Sequence, residues 1–258
     1  MFYPGFDITP KHSPMGFEYG NDVFGPEVEQ RLINDIRFSL REPDCNGPEI
    51  VYAIAMDVGK KEHFELLKKM HLLYGTVIYA SGKLGNEPIR SQGHIHKISP
   101  LSGWSTPEVY EIWEGEAVIY MQEFADDKPG RCFAVVAKVG DVVIVPPYWA
   151  HATISANPTK PLVFGAWCDR EYGFDYSGVR AHGGIAWFPV FDANNQLVWE
   201  RNEQYEITEL IHKRPEIYNN LGMEKGKNIY QIFEECPETF AFVPHPALKA
   251  DVWENFVP

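Results

Sequence analysis

Gly93-His94-Ile95-His96, followed by Glu108-Val109-Tyr110 and Gly115, and then Gly140-Asp141-Val142-Val143-Ile144-Val145-Pro146-Pro147-Tyr148-Trp149-Ala150-His151, are the segments whose reading decides the fold. On an extended strand residues i and i+2 point to one face, so His94 and His96 can offer two imidazoles to a single ion. The second segment reads as a strand and a proline turn that deliver a third imidazole, His151. With Glu108 they form a mixed nitrogen and oxygen donor set suited to Fe(II), Mn(II), Ni(II), Co(II) or Zn(II), and such a set leaves positions for water or substrate. Each histidine alone is as simply read as a surface or hydrogen-bonded residue. The combination is what points to a metal.

Outward from these motifs, short apolar or alternating runs separated by turn residues continue in both directions. They are Ile50 to Met56, Leu72 to Ala80, Val109 to Trp113, Ala117 to Gln122, Cys132 to Ala137, Val142 to Val145, His151 to Ile154, Leu162 to Cys168 and Ile185 to Phe188. Runs spaced like this predict a mainly β domain, an antiparallel sandwich or barrel. The 14% aromatic content, with 20 Pro and 21 Gly, suits strands and tight turns better than a helical bundle.

Ahead of the strands, Val28, Leu32 and Ile36 stand four apart, with Ile33 and Leu40 widening the stripe, and predict a helix from Gly25-Pro26-Glu27 to about Leu40. Pro26 would take the first helical position, where its missing N–H costs nothing. Past Asn194 the composition turns polar, with short helical pieces expected at Tyr205 to His212, Pro215 to Leu221 and Asn228 to Glu235. The expected layout is an N-terminal lead with its helix (1–48), a β barrel (49–190) and a short-helical C-terminal extension (191–258). The extension is expected to pack on the barrel; the competing idea is a lid built from Phe240, Phe242 and Trp253. His212 and His245 are isolated and read as surface or capping residues.

The 258 residues, 45% of them hydrophobic, suffice for a full core, and 23 Lys and Arg against 36 Asp and Glu give a net charge of -13. So acidic a chain repels nucleic acid and anionic lipid unless it segregates a basic patch. Lys60-Lys61 and Lys68-Lys69 are interrupted by acids and apolar residues, as on a solvated face. No apolar stretch approaches the roughly 18 to 20 residues of a membrane helix, and the opening residues lack a basic start with an apolar segment, so a cytoplasmic protein is expected. Cys45, Cys132, Cys168 and Cys236 form no C-x-x-C pair, against a disulfide framework or a Cys-ligated zinc.

The spacings of the His-x-His, Glu108 to Gly115 and Gly140 to Pro146 elements resemble the two motifs of the cupin superfamily. Gly82-Lys83-Leu84-Gly85, Ser91-Gln92-Gly93-His94-Ile95-His96, Val145 to His151 and Gly173-Phe174-Asp175-Tyr176 are similar, more narrowly, to the cupin-type glucose-6-phosphate isomerases of archaea and some bacteria. The resemblance covers roughly residues 15 to 190. It implies a double-stranded β-helix barrel, one divalent ion with Fe2+ favoured, and His94, His96, Glu108 and His151 as its ligands. It further implies that Thr76, Ser91 and Gly93 hold a sugar phosphate, with Tyr148 and Tyr176 lining the pocket, and that the protein is a homodimer. The family usually has His where Phe174 stands, its loop corresponding to Lys97 to Pro107 is shorter, and residues after Asn194 have no counterpart in it.

Moving a hydrogen between C1 and C2 of an aldose phosphate needs an electrophile at the neighbouring oxygens, which a divalent ion supplies. The hydrogen can travel as a proton, which needs a base, or as a hydride. Glu108 is the base candidate, and Tyr148 a proton relay or simply an aromatic wall. Lys83 and Arg90, near the Gly93 turn, are candidates for phosphate contacts or for solvated turn residues. A sugar-phosphate isomerase is thus expected; an isomerase of another sugar or sugar phosphate, and a non-catalytic sugar- or metal-binding cupin, are the alternatives.

Overall fold

The computed structural model describes residues 2–258; Met1, the first residue of the expected N-terminal lead, lies outside them. Ten strands build two facing sheets: β1 (Glu29–Leu32), β2 (Ile50–Met56), β3 (Leu72–Tyr79), β4 (Glu108–Glu114), β5 (Glu116–Gln122), β6 (Cys132–Lys138), β7 (Val142–Val145), β8 (Ala150–Ser155), β9 (Leu162–Asp169) and β10 (Leu210–Lys213). The six-stranded sheet runs β7-β4-β9-β3-β2-β1 and the four-stranded sheet runs β8-β5-β6-β10. All neighbours are antiparallel except β6 and β10, which pair in parallel. The architecture is mainly β, two facing sheets, as the spacing of strand-like runs predicts.

Alternation along each strand decides what faces where. Glu108, Tyr110 and Ile112 of β4 look into the barrel, as do Tyr52 and Tyr79; Ile112 packs in a core with Ile119, Met121, Phe133 and Val135 of the opposite sheet. Val109, Glu111 and Trp113 look outward, onto a second core. There the outer face of the six-stranded sheet (Tyr74, Ile78, Trp167) is covered by Phe6 and Ile8 near the N-terminus and by Tyr230, Phe233, Phe240 and Phe242.

Two expected helices give way in part to strands. The helix over Gly25 to Leu40 resolves into edge strand β1, one α-turn at Ile33–Ile36 and a 3-10 turn at Arg37–Ser39. Pairing of Glu29, Gln30 and Arg31 with Ile54, Ala53 and Tyr52 satisfies the backbone of β1, and Ile33 and Ile36 still bury their side chains, so the four-residue spacing of apolar residues did not require one continuous helix. Within Tyr205 to His212, the residues Leu210–Lys213 extend the four-stranded sheet as β10. The helix expected near Asn228 to Glu235 is present at Ile229–Glu235, with Asn228 capping it through a side-chain bond from Gln231 N. No helix among the described residues is long and apolar enough to cross a membrane.

Candidate active site and metal centre

His94 and His151 form an antiparallel bridge, each amide bonding the other's carbonyl at 3.1 and 2.9 Å. Ile95–His96 pairs in turn with Phe174–Asp175. Glu108 enters from the start of β4. One ligand atom from each of His94, His96, Glu108 and His151 lies within 4.8 Å of the others.

The orientation of the imidazoles is set from behind. His96 Nδ1 lies 2.9 Å from Thr106 O and His151 Nδ1 lies 3.1 Å from Trp149 O; a carbonyl can only accept, so both Nδ1 atoms carry the proton and both Nε2 atoms present lone pairs. Those lone pairs face a carboxylate: each Nε2 is 3.3 Å from Glu108 Oε2. The Nε2 atoms of His94 and His96 are buried without a hydrogen-bond partner. Buried lone pairs aimed at a buried carboxylate repel one another unless a cation lies between them, so the residues present fit a divalent metal site.

The electrostatics agree. Burial, helped by the neighbouring His151 and His96, pushes His94 well below the usual histidine range, and burial likewise lowers His151, so both are neutral and available as ligands. Burial by itself would raise Glu108; protons shared with it by His151 and His96 would hold its carboxyl well below the usual range, and when both Nε2 atoms present lone pairs instead, that role falls to a cation between them. Both Glu108 oxygens are also gripped by side chains. Tyr110 OH donates to Oε2 at 2.7 Å, and the Cys168 thiol, kept protonated by burial, lies 3.4 Å from Oε1.

His94 and Glu108 of this set line a cleft of about 100 Å³. Tyr52, Tyr79, Tyr110 and Phe164 form walls from the sheet, and Tyr172, Phe174 and Tyr176 alternate along one segment to form the opposite wall. Phe174 lies against His94, ring centroids 4.4 Å apart. Ser91 reaches the cleft with its Oγ accepting from Thr153 N at 3.0 Å, which leaves its proton free to donate. Gly93 sits at φ +92°, and a Cβ there would meet Ile185 at 2.8 Å, so the turn that presents His94 excludes larger residues.

Four residues expected at the site lie elsewhere. Thr76 belongs to the outward-facing set of β3, while its neighbours Val77 and Tyr79 line the cleft. Arg90 is fully buried, paired with Glu87 at 2.7 Å and donating to Ser39 O at 2.6 Å, so its charge is already spent on holding the chain. Lys83 bonds Asn195 on the surface. Tyr148 is 45% exposed and packs on Trp104 of the Lys97 to Pro107 loop rather than facing the cleft. Conversely, Arg31, Glu29 and Tyr110 line the cleft without having been expected there. Tyr110 carried a sequence signal, its place two residues after Glu108 on an inward-facing strand. Phe240, Phe242 and Trp253, the residues of the lid idea, pack in or against the outer core.

Comparison with known proteins bears on what this cleft does. Residues 39–208 match the family model for glucose-6-phosphate isomerase. A glucose-6-phosphate isomerase of Thermococcus litoralis is 31% identical over 162 residues, 62% of this chain and 75% of that protein. One from Thermococcus onnurineus is 30% identical, over 63% of this chain and 74% of its own length. Among solved structures, an oxalate oxidase overlaps 48% of this chain and 53% of its own at 12% identity, with a TM-score of 0.35. From the match over residues 39–208 and the two archaeal relatives, the chain belongs to the glucose-6-phosphate isomerase family.

Proposed function

We propose that the protein interconverts glucose 6-phosphate and fructose 6-phosphate, and that His94, His96, Glu108 and His151 hold one divalent ion, Fe2+ in the first instance. The observation that supports this most directly is the meeting of imidazole lone pairs with the Glu108 carboxylate in a cleft that His94 and Glu108 line. When bound, the ion supplies an electrophile for the C1 and C2 oxygens of the sugar.

The residues themselves divide the remaining work. In going from aldose to ketose, a hydrogen leaves C2 and arrives at C1, while a hydroxyl proton leaves O2 and one is gained at O1. Glu108 is a poor base, since a carboxylate that binds a cation has its pKa lowered. We assign it a ligand role. Tyr110, hydrogen-bonded to Glu108 and lining the cleft, takes the position of proton relay that Tyr148 cannot reach. The aromatic walls exclude water from the intermediate, and the Ser91 hydroxyl donates to the substrate.

Phe174 places a hydrocarbon ring against His94, where a polar group would otherwise meet the sugar, and this favours a second reading, in which another sugar phosphate or a free sugar is the better substrate. A coupled assay with fructose 6-phosphate, with and without chelator, tests the first. Turnover abolished by chelator and restored by a divalent ion is expected. Turnover of other sugars but not of fructose 6-phosphate replaces it with the second. The protein is further proposed to work in the cytoplasm as a homodimer, consistent with four cysteines that form no disulfide.

A further inference from the structure

Among the described residues, Arg31 is the one Lys or Arg that lines the cleft. It stands on edge strand β1 directly across from Tyr52, which is itself across from Tyr79, so one row of inward-facing side chains leads from the edge of the sheet into the barrel. The Tyr52 and Tyr79 rings stack at 4.9 Å along this row. The guanidinium is unevenly used. Its Nη2 donates to Glu29 Oε1 at 2.9 Å, while its Nε is buried with no acceptor. The Arg31 side chain is 25% exposed, whereas that of Glu29 is 70% exposed and can swing into water.

In a chain of net charge -13, a cationic side chain in the cleft favours entry of a phosphate dianion. Lys83 and Arg90 are committed elsewhere. A guanidinium with one unsatisfied N–H and a second held by a solvent-exposed carboxylate suits two parallel bonds to phosphate oxygens. We infer that Arg31 is the phosphate-binding group of this cleft and that Glu29 occupies the guanidinium until the substrate's phosphate displaces it. This rests on the reading of the cleft as a sugar-phosphate site, and it adds a cationic side chain to a lining that also carries the Ser91 hydroxyl.

Titration calorimetry of the metal-loaded protein with 6-phosphogluconate and with gluconate, which differ in the phosphate alone, separates the possibilities. Arg31→Ala is expected to weaken 6-phosphogluconate by about 10- to 100-fold, as for loss of charge-assisted bonds, and to leave gluconate unchanged; Arg31→Lys is expected to fall between. Glu29→Gln is expected to tighten 6-phosphogluconate, and this variant carries the test should Arg31→Ala fold poorly. Equal loss of both ligands in Arg31→Ala, or no gain in Glu29→Gln, would overturn the inference. Arg31-dependent binding of 6-phosphogluconate in a protein that turns over no sugar phosphate would instead leave the inference standing and reject the isomerase reading.

Discussion

Tyr110 donates a 2.7 Å hydrogen bond to the same oxygen of Glu108 that faces His96 and His151, while the Cys168 thiol sits 3.4 Å from the other oxygen. The carboxylate is therefore fixed on both sides before any ion arrives. Partners of this kind orient a ligand and commonly contribute 10- to 100-fold to metal affinity. Tyr110→Phe is expected to lower metal affinity by about tenfold and turnover by at least as much. A competition titration against a coloured chelator measures the first, and unchanged affinity would contradict the assignment of Tyr110 as the residue that holds Glu108 in place.

The four-residue donor set makes a compositional prediction as well. Protein purified without chelator is expected to carry about one divalent ion per chain, and a His96→Ala, His151→Ala double variant close to none. Elemental analysis of both preparations decides it; equal metal content would mean that these histidines do not hold an ion.

Glu111 predicts an unusual response to pH. It faces away from the cleft, accepts from Ile229 N at 2.9 Å and Trp113 Nε1 at 3.3 Å, and burial pushes its carboxyl up to about 8. An acid raised on folding binds its proton more tightly in the folded chain, so its contribution to stability is lost as pH climbs from the ordinary carboxylate range through about 8. Melting temperature of the wild type is expected to fall more steeply between pH 6 and 9 than that of Glu111→Gln, the difference amounting to about 1 kcal/mol or more. Parallel melting curves across that range would show that Glu111 does not titrate there.

The covering of the outer core makes residues beyond 195 part of the fold. A chain ending at Asn194 loses β10 and exposes Tyr74 and Trp167, which Tyr230, Phe233 and Phe240 otherwise cover. It is expected to aggregate or to melt without cooperativity. A soluble truncate with a sharp melting transition would contradict this.

Much of the barrel was legible because strand alternation and turn residues are local signals: the Ile50–Met56 and Val142–Val145 strands stand where the residue pattern puts them. The cluster of His94, His96, Glu108 and His151 was legible for the same reason, as spacing on strands joined by a glycine turn and a proline turn. What the sequence hid were choices made by distant partners. Val28, Leu32 and Ile36 have helical spacing, but the edge of a sheet built some 20 residues later in the chain claims Glu29–Leu32 as a strand. Thr76 differs from Val77 only in parity, and a one-residue step puts it on the outer face. Arg90 lies close in sequence to Ser91 and Gly93 yet turns to Glu87, while Arg31, some 60 residues before the His-x-His, reaches the cleft because β1 closes the sheet.

The parallel pairing of β6 with β10 brings Cys132 opposite Leu210, so the four-stranded sheet takes its edge strand from residues that lie beyond β7, β8 and β9 in the chain. On the ribosome the motif-bearing strands emerge first, and they must wait, with the underside of the six-stranded sheet bare, for residues 210 to 256 to appear. Contacts between residues so far apart in the chain form slowly, and an uncovered aromatic surface is sticky in the meantime. Folding of this protein thus contains a vulnerable interval that ends when residues 210 to 256 cover the outer core, and conditions that lengthen it would favour aggregation over the finished barrel.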